Sequence, residues 1–413
     1  MMYNLQEIFP VSSKPIHKII VALLALVAVS LPFRDQFLVN LFIILVIIAW
    51  VFSRPAKQLF SKKKNLKNLA AILIFYILHA VSLLYTQNMQ EGFFSLEIKI
   101  SLFVFPLIFY SADFSSKQIK FFITGFVLGC TLCCVLCVIH SCYITYTGIP
   151  PTGNKGDNFF FYTYLSWFQH PSYLSMYLTF CCVALFERKL FAKRIQLLLA
   201  SFFTVFILLL SSKSGIVIHF VFLSVYFVSS YLAERNFKKL FLFSSVGILI
   251  LVSAVFFLPG VKGRFQNVIS AFKTEKTDKS ATESTAVRML IWNEATEIIK
   301  KNPLLGVSPG DTNDELYKSY EQNGLTGAYA KKLNAHSQFF QTGVGLGLIG
   351  VASFLSMFII PMIRNRSKLL VFFLLITVVN FLTESMLQTM AGCIFFGYFY
   401  AMLCFEEQES IHS

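Results

Sequence analysis

Long apolar runs alternate with short polar segments along most of the chain of 413 residues. A bilayer core of roughly 30 Å requires about 20 apolar residues per helix, and twelve segments come close to that length. These segments lie at 17–33, 36–52, 66–85, 93–111, 119–143, 170–187, 195–211, 214–232, 239–258, 337–361, 368–386 and 390–405. The pattern predicts an all-α integral membrane protein with about twelve transmembrane helices.

The spacing of the apolar runs divides the chain into three parts. Residues 1–258 contain the first nine predicted helices, residues 259–336 form one long polar loop, and residues 337–413 contain the last three helices and a short tail. Within the loop, apolar residues recur at helical spacing from Val287 to Ile298, before Pro303 ends the pattern. We therefore predict an amphipathic helix that could lie on the membrane surface, followed by a second short helix.

Composition and charge agree with a membrane protein and predict its orientation. Hydrophobic residues make up 56% of the chain, and the formal net charge is +14. With a cytoplasmic N-terminus, the short loops on that side carry 20 Lys and Arg residues, whereas the short loops on the other side carry only Arg34, Lys155 and Lys213. Because positive charge in short loops marks the cytoplasmic side, we predict that both termini are cytoplasmic and that the long loop lies outside. The charge reports topology, so no nucleic-acid partner is expected.

Two kinds of site are disfavoured by the sequence. The spacing of Cys130, Cys133, Cys134 and Cys137 superficially suggests a metal site, but these residues lie in an apolar segment, where small residues help helices to pack. No GxxxxGK[ST] loop, HExxH motif or Asp-X-Asp pair occurs, which argues against a nucleotide-driven pump and a metal-dependent enzyme. We expect no metal and no cofactor.

Five ionisable residues are predicted to lie on the outer face, at helix ends or in the long loop, where such groups are functional candidates. They are His170, Lys213, Arg288, His336 and Glu384. Lys213, in the turn SSKSG, and Arg288 suit phosphate binding, although each could instead meet lipid head groups. For His170, which precedes Pro171 at a helix start, a role as an interfacial residue is favoured.

His336 stands before a glycine-rich apolar run, with glycines at 343, 345, 347 and 350. Glycines allow helices to approach closely, so His336 is predicted to enter a packed interior. It could act as a general base, bind a diphosphate as a cation, or be an interfacial residue. Glu384 could orient His336, pair with a cation or bind a sugar hydroxyl, and the sequence leaves these roles open.

Three stretches carry a resemblance to a known family. They are SSKSG at 211–215, VRMLIWNEATEIIKKNPLLGVSPGD at 287–311 and LNAHSQFFQTGVGLGLIG at 333–350. With the long loop before the last three helices, they resemble the bacterial O-antigen ligase and O-antigen polymerase family of multi-spanning, GT-C-like glycosyltransferases. The chain departs from the family pattern at Lys213, where an arginine is usual, and at Ser337, where an asparagine commonly follows the histidine.

The resemblance implies an enzyme of the bacterial cytoplasmic (inner) membrane with a periplasmic active site. Its donor would be a glycan on a polyprenyl diphosphate, attacked by an acceptor hydroxyl with inversion at the sugar and without a metal. By motif, the two cations and the histidine of the family fall on Lys213, Arg288 and His336. We assign the diphosphate to Lys213 and Arg288, catalysis to His336 and Glu384, and contacts with acceptor or glycan to His170 and Trp292. Membrane lipid surrounds such a protein.

Our first choice of function is an O-antigen ligase that transfers the glycan to lipid A core. A polymerase of O-antigen or exopolysaccharide, and a protein O-oligosaccharyltransferase, would use the same residues. A non-enzymatic transporter of lipid-linked glycans is the alternative from a different class. Such a transporter needs polar residues at mid-membrane depth, whereas the predicted charges lie at the outer face, so the sequence favours an enzyme.

Overall fold

The computed structural model describes residues 5–33, 36–54, 65–148, 159–233, 285–365 and 367–406, together with the single positions 235, 238, 279, 280 and 282. All regular elements of these residues are helical. The ninth predicted span, 239–258, lies outside the described residues, as does most of the polar stretch that follows it.

The chain forms two compact units. The first unit comprises Met1–Gln58, Ala112–Arg264 and Glu406–Ser413. Its described helices are α1 (Leu5–Ile8), α2 (Pro15–Ser30), α3 (Gln36–Phe52), α7 (Ser116–Thr147), α8 (Tyr162–Leu165), α9 (Pro171–Glu187), α10 (Lys193–Leu210) and α11 (Lys213–Ala233).

The second unit comprises Leu59–Ser111 and Phe265–Phe405. Its described helices are α4 (Leu66–Ser82), α5 (Met89–Lys99), α6 (Ser101–Ser111), α12 (Thr285–Lys301), α13 (Thr312–Gln322), α14 (Thr326–Ala330), α15 (Gln338–Arg364), α16 (Lys368–Thr383) and α17 (Met390–Phe405), with a 3₁₀ turn at Met386–Gln388.

The described helices confirm the predicted all-helical class, and their apolar stretches are consistent with a membrane protein. Within the described residues, five helical stretches are long and apolar enough to cross a membrane, namely Met89–Ser111, Ser116–Thr147, Lys193–Leu210, Lys213–Ser230 and Gln338–Arg364. Five shorter apolar helices lie at Pro15–Ser30, Phe37–Phe52, Leu66–Ser82, Lys368–Thr383 and Met390–Phe405. Each of these coincides with a predicted span to within a few residues, while the number of twelve spans stays a prediction.

Small residues allow close helix packing in the first unit. In it, α2 packs against α3 and α7, and α9 packs against α10 and α11. Cys130, Cys133 and Cys134 of α7 are fully buried, and a Cβ atom on Gly129 would overlap the backbone of Val29 in α2. In the part of the chain that the structure describes, no three His, Cys, Asp or Glu residues form a group that could hold a metal ion.

In the second unit, α15 is broken at Gly347, whose φ of +61° and ψ of −161° are not helical. The loop at 303–308 closes this break with backbone hydrogen bonds. Val307 and Ser308 donate to the carbonyls of Val344 and Gly345 at 2.9 Å each, and Leu348 donates to the carbonyl of Pro303 at 2.8 Å. Backbone N–H and C=O groups that lose their helical partners inside an apolar helix need other partners. The loop at 303–308 supplies these partners at the break.

The break corrects our interpretation of the glycine run. A Cβ atom on Gly347 would overlap the backbone of Leu304, and one on Gly345 would lie 2.8 Å from Thr312 Oγ1. Gly347 therefore accommodates the backbone of the long loop, and not a neighbouring helix as we predicted, while Gly345 lies against the first residue of α13. Gly343 does face a helix, because its Cβ would lie 2.7 Å from Ile299 Cδ1 of α12.

The apolar face of α12 is also buried within the protein. Val287, Ile291, Ala295 and Ile298 form a core with residues of α13, α14 and α15, so α12 does not lie free on a membrane surface as we considered. Tyr320 of α13 is fully buried in this core, and burial raises the pKa of its phenol. The amphipathic pattern correctly predicted the buried face, and the structure supplies its partners.

A matched pair of glycines tests the contact between the loop and α15. Gly306 and Gly324 both have a φ of +68°, but a Cβ atom on Gly306 would overlap the carbonyl oxygen of Val344, whereas one on Gly324 meets nothing within 4 Å. We expect Gly324→Ala to lower the free energy of unfolding by about 1–2 kcal/mol, the cost of a left-handed L-residue. Gly306→Ala should lower it by about 1–3 kcal/mol more, because the backbone has to move. Unfolding in detergent measures both, and equal losses would contradict the contact.

Candidate active site

Three predicted site residues meet in the second unit around one carboxylate, and we call them the Arg–Glu–His cluster. Arg288 lies in the first turn of α12, His336 lies just before α15, and Glu384 is the residue after α16. Arg288 Nη2 lies 3.1 Å from Glu384 Oε1, and His336 Nδ1 lies 3.9 Å from Glu384 Oε2. The two oxygens of one carboxylate thus face one residue each, although Arg288 and Glu384 are 96 positions apart in sequence.

The carboxylate of the cluster is more buried than the guanidinium and the imidazole that face it. The side chain of Glu384 is 9% exposed, while those of Arg288 and His336 are 29% and 27% exposed. The carboxylate therefore lies behind the two nitrogen-bearing groups, which are the ones that an incoming substrate would reach. Arg288 Nη1 also donates to the carbonyl of Thr383 at 2.8 Å, so the guanidinium is fixed in orientation by two acceptors.

His336 is held in a left-handed backbone conformation, with a φ of +46°. The left-handed conformation costs an L-residue about 1–2 kcal/mol of conformational free energy, and such strained residues are often found at functional sites. The His336 N–H donates to Asn334 Oδ1 at 2.9 Å. On either side, Ala335 N donates to Gln341 Oε1 at 3.0 Å and Ser337 N donates to Ser385 Oγ at 3.1 Å. Side-chain acceptors thus hold three consecutive N–H groups.

Trp292 connects α12 to the residue before His336. Its Nε1 donates to the carbonyl of Ala335 at 2.9 Å, and its ring stacks on Phe340 with a centroid distance of 5.5 Å. Trp292 therefore helps to set the position of His336 relative to Arg288, which lies one turn earlier in the same helix. Its contact with glycan or acceptor stays a prediction.

Lys213 and His170 lie in the first unit, at the N-terminal ends of α11 and α9. The two helix starts are joined by a hydrogen bond of 3.1 Å between Ser172 Oγ and Ser212 Oγ. His170 is the N-cap of α9, because its Nδ1 accepts the N–H of Ser172 at 3.4 Å. This gives His170 a structural role at the helix start and brings it near the SSKSG turn.

Two residues that position these elements were not predicted from the sequence. His219 of α11 is fully buried, with Thr179 Oγ1 3.2 Å from its Nδ1 and Thr204 Oγ1 3.0 Å from its Nε2. It therefore ties α11 to both α9 and α10 behind the SSKSG turn. A histidine within an apolar run was the signal that could have found it.

The second such residue is Asp311, which anchors the long loop within the second unit. Its carboxylate accepts the N–H groups of Gln87 and Asn88, with shortest distances of 2.9 Å and 2.7 Å, and the hydroxyl of Thr86 at 3.2 Å. Asn88 is the N-cap of α5, so a negative charge lies where a helix N-terminus favours it. In the sequence, an aspartate after Pro and Gly indicates only a turn.

The fold and the cluster are those of a multi-helix protein with long apolar helices and one long polar loop. An arginine, a tryptophan and a histidine of this loop lie beside the ends of apolar helices in the second unit. The family model described as O-antigen ligase matches residues 199–355. This match confirms the resemblance to the O-antigen ligase family that the three motifs predicted, and it includes Lys213, Arg288, Trp292 and His336. His170 and Glu384 lie outside the matched segment. No curated protein matches the chain.

Proposed function

We propose that the protein is a metal-independent glycosyltransferase of the O-antigen ligase type. In this proposal it transfers a glycan from a polyprenyl diphosphate to a hydroxyl of lipid A core, on the periplasmic face of the bacterial inner membrane. The family match over residues 199–355 supports the general activity. The observation that carries the chemistry is the Arg–Glu–His cluster, in which a buried carboxylate faces one cation and one imidazole.

His336 is the general base of the proposed reaction. A carboxylate next to Nδ1 favours the tautomer with the proton on Nδ1, so that Nε2 can accept the proton of the acceptor hydroxyl. The 3.9 Å between Nδ1 and Glu384 Oε2 is longer than a hydrogen bond, and catalytic pairs often tighten when the substrate binds. The greater exposure of His336 favours it over Glu384 as the base, and Glu384 then orients it.

The transfer is a single displacement at the anomeric carbon. The acceptor oxygen, losing its proton to His336, forms a bond to this carbon from the face opposite the diphosphate. The bond between the anomeric carbon and the diphosphate oxygen breaks, and its electron pair leaves with the diphosphate. Arg288 and Lys213 stabilise the negative charge that develops on the leaving group. Inversion at the sugar follows from this geometry.

A transfer assay with purified protein in liposomes tests the function. The protein is incubated with a polyprenyl-diphosphate glycan and, in separate reactions, with lipid A core, a second lipid-linked glycan or an acceptor protein, each with and without EDTA. We expect product on lipid A core that is unaffected by EDTA. Product only on the second glycan or on protein would indicate polymerase or protein glycosylation. No product on any acceptor, together with movement of the donor across the liposome, would refute the enzyme and favour a transporter.

Lys213 can be tested for its proposed contact with the diphosphate. Lys213→Arg keeps the positive charge, so we expect it to retain transfer within about threefold of the original rate, whereas Lys213→Ala should reduce kcat/KM by about 10- to 100-fold. The measurement is the dependence of the transfer rate on donor concentration. If the arginine and alanine variants are equally active, Lys213 serves only as a contact to lipid head groups.

A further inference from the structure

The ring of His336 owes its direction to a backbone conformation that an L-residue does not prefer. The φ of +46° at His336 directs its side chain so that Nδ1 faces Glu384. An extended or right-handed helical backbone at this residue would point the Cβ atom elsewhere. A group that stabilises the left-handed conformation therefore also determines whether the imidazole meets the carboxylate.

Asn334 is the residue whose side chain acts directly on the His336 backbone. Its Oδ1 accepts the N–H of His336 at 2.9 Å, which is the hydrogen bond of an Asx turn, between a side chain and the amide two residues further on. We propose that Asn334 is a positioning residue that holds His336 in the left-handed conformation required for its contact with Glu384. Its effect on transfer rests on the proposed function, while its effect on the backbone does not.

The neighbouring hydrogen bonds make this effect specific to His336. Ala335 is held through Gln341 on its N–H and through Trp292 on its carbonyl, and Ser337 is held by Ser385. None of these bonds involves Asn334. Loss of the Asn334 side chain therefore leaves the segment attached on both sides and removes the support of the His336 amide.

Substitution of Asn334 separates this role from a general structural one. Asn334→Asp keeps an oxygen at the acceptor position, whereas Asn334→Ala removes it. We expect Asn334→Ala to lower kcat by about 10- to 100-fold with KM for the donor changed less than about threefold, because a misplaced base slows the chemical step. Asn334→Asp, which keeps the acceptor oxygen, should have a kcat within about threefold of that of the original protein. Asn302→Ala, at an exposed position after α12, is the matched control and should leave kcat unchanged.

A second measurement tests the backbone role without any reaction. Glycine adopts positive φ without support, so the fall in unfolding temperature caused by Asn334→Ala should be smaller in the His336→Gly background than in the original protein. This non-additivity supports the proposal even if no glycan transfer is found, in which case only the proposed function fails. Equal falls in both backgrounds, or a kcat for Asn334→Ala equal to that of Asn302→Ala, would overturn the positioning role.

Discussion

Glycan transfer is expected to fall by about 10²- to 10⁴-fold when His336 is replaced by asparagine, which is the range that a general base contributes. Asparagine is chosen because it tolerates the left-handed conformation that His336 adopts at a φ of +46°. The folded structure should therefore persist while the group that accepts the proton is lost. The measurement is the transfer rate in liposomes, with the unfolding temperature of the same preparation as the control for folding.

The same variant distinguishes the two roles that the sequence left open for His336. If His336 accepts the proton, donor binding should be retained in His336→Asn, because the proposed diphosphate contacts of Arg288 and Lys213 are unchanged. If His336 instead holds the diphosphate as a cation, donor affinity should fall together with the rate. A variant with full activity and the original unfolding temperature would exclude His336 from the reaction.

The second large effect is expected at Glu384. Glu384→Gln keeps the size of the side chain and removes the negative charge that faces both Arg288 and His336. We expect kcat to fall by about 10- to 100-fold, because a carboxylate partner orients an imidazole and fixes its tautomer. Donor affinity should be unchanged or stronger, since Arg288 is no longer partly neutralised. The test is kcat and KM measured separately for the donor.

The ion pair gives this prediction an independent control in stability. Removing Arg288 leaves the buried carboxylate of Glu384 without this cation. Because the guanidinium is partly exposed, we expect a cost of about 1–3 kcal/mol, between the values for a surface pair and a buried pair. Arg288→Met should therefore be less stable than Arg288→Met combined with Glu384→Gln. If Glu384→Gln lowers stability but leaves kcat unchanged, Glu384 is only a structural ion-pair residue.

The helical class could be predicted because apolar runs of membrane length leave few alternatives. The buried face of α12 was also predictable from its periodicity. Its partners were not, because a repeat of 3.6 residues shows which side is apolar and does not show what covers it. For α12, these partners are α13, α14 and α15, where the sequence suggested a membrane surface.

The break in α15 could not be predicted for a related reason. Glycines within an apolar run usually indicate close helix packing, and the backbone of residues 303–308 that fills the break gives no distinct signal in the sequence. The cluster was partly predictable, since Arg288, His336 and Glu384 were each candidates and pairing of Glu384 with a cation was one alternative. Their meeting depends on tertiary contacts between distant segments. Asn334 was missed because an asparagine in a loop indicates only a turn.

In the proposed reaction, an acceptor hydroxyl activated by His336 displaces the diphosphate directly. The most direct test is the anomeric configuration of the new glycosidic bond, determined by NMR on the product that the original protein forms from a donor of known configuration. A single displacement predicts an inverted bond. A retained configuration, which a single displacement from the opposite face cannot give, or the absence of any glycosidic product, would contradict this reaction.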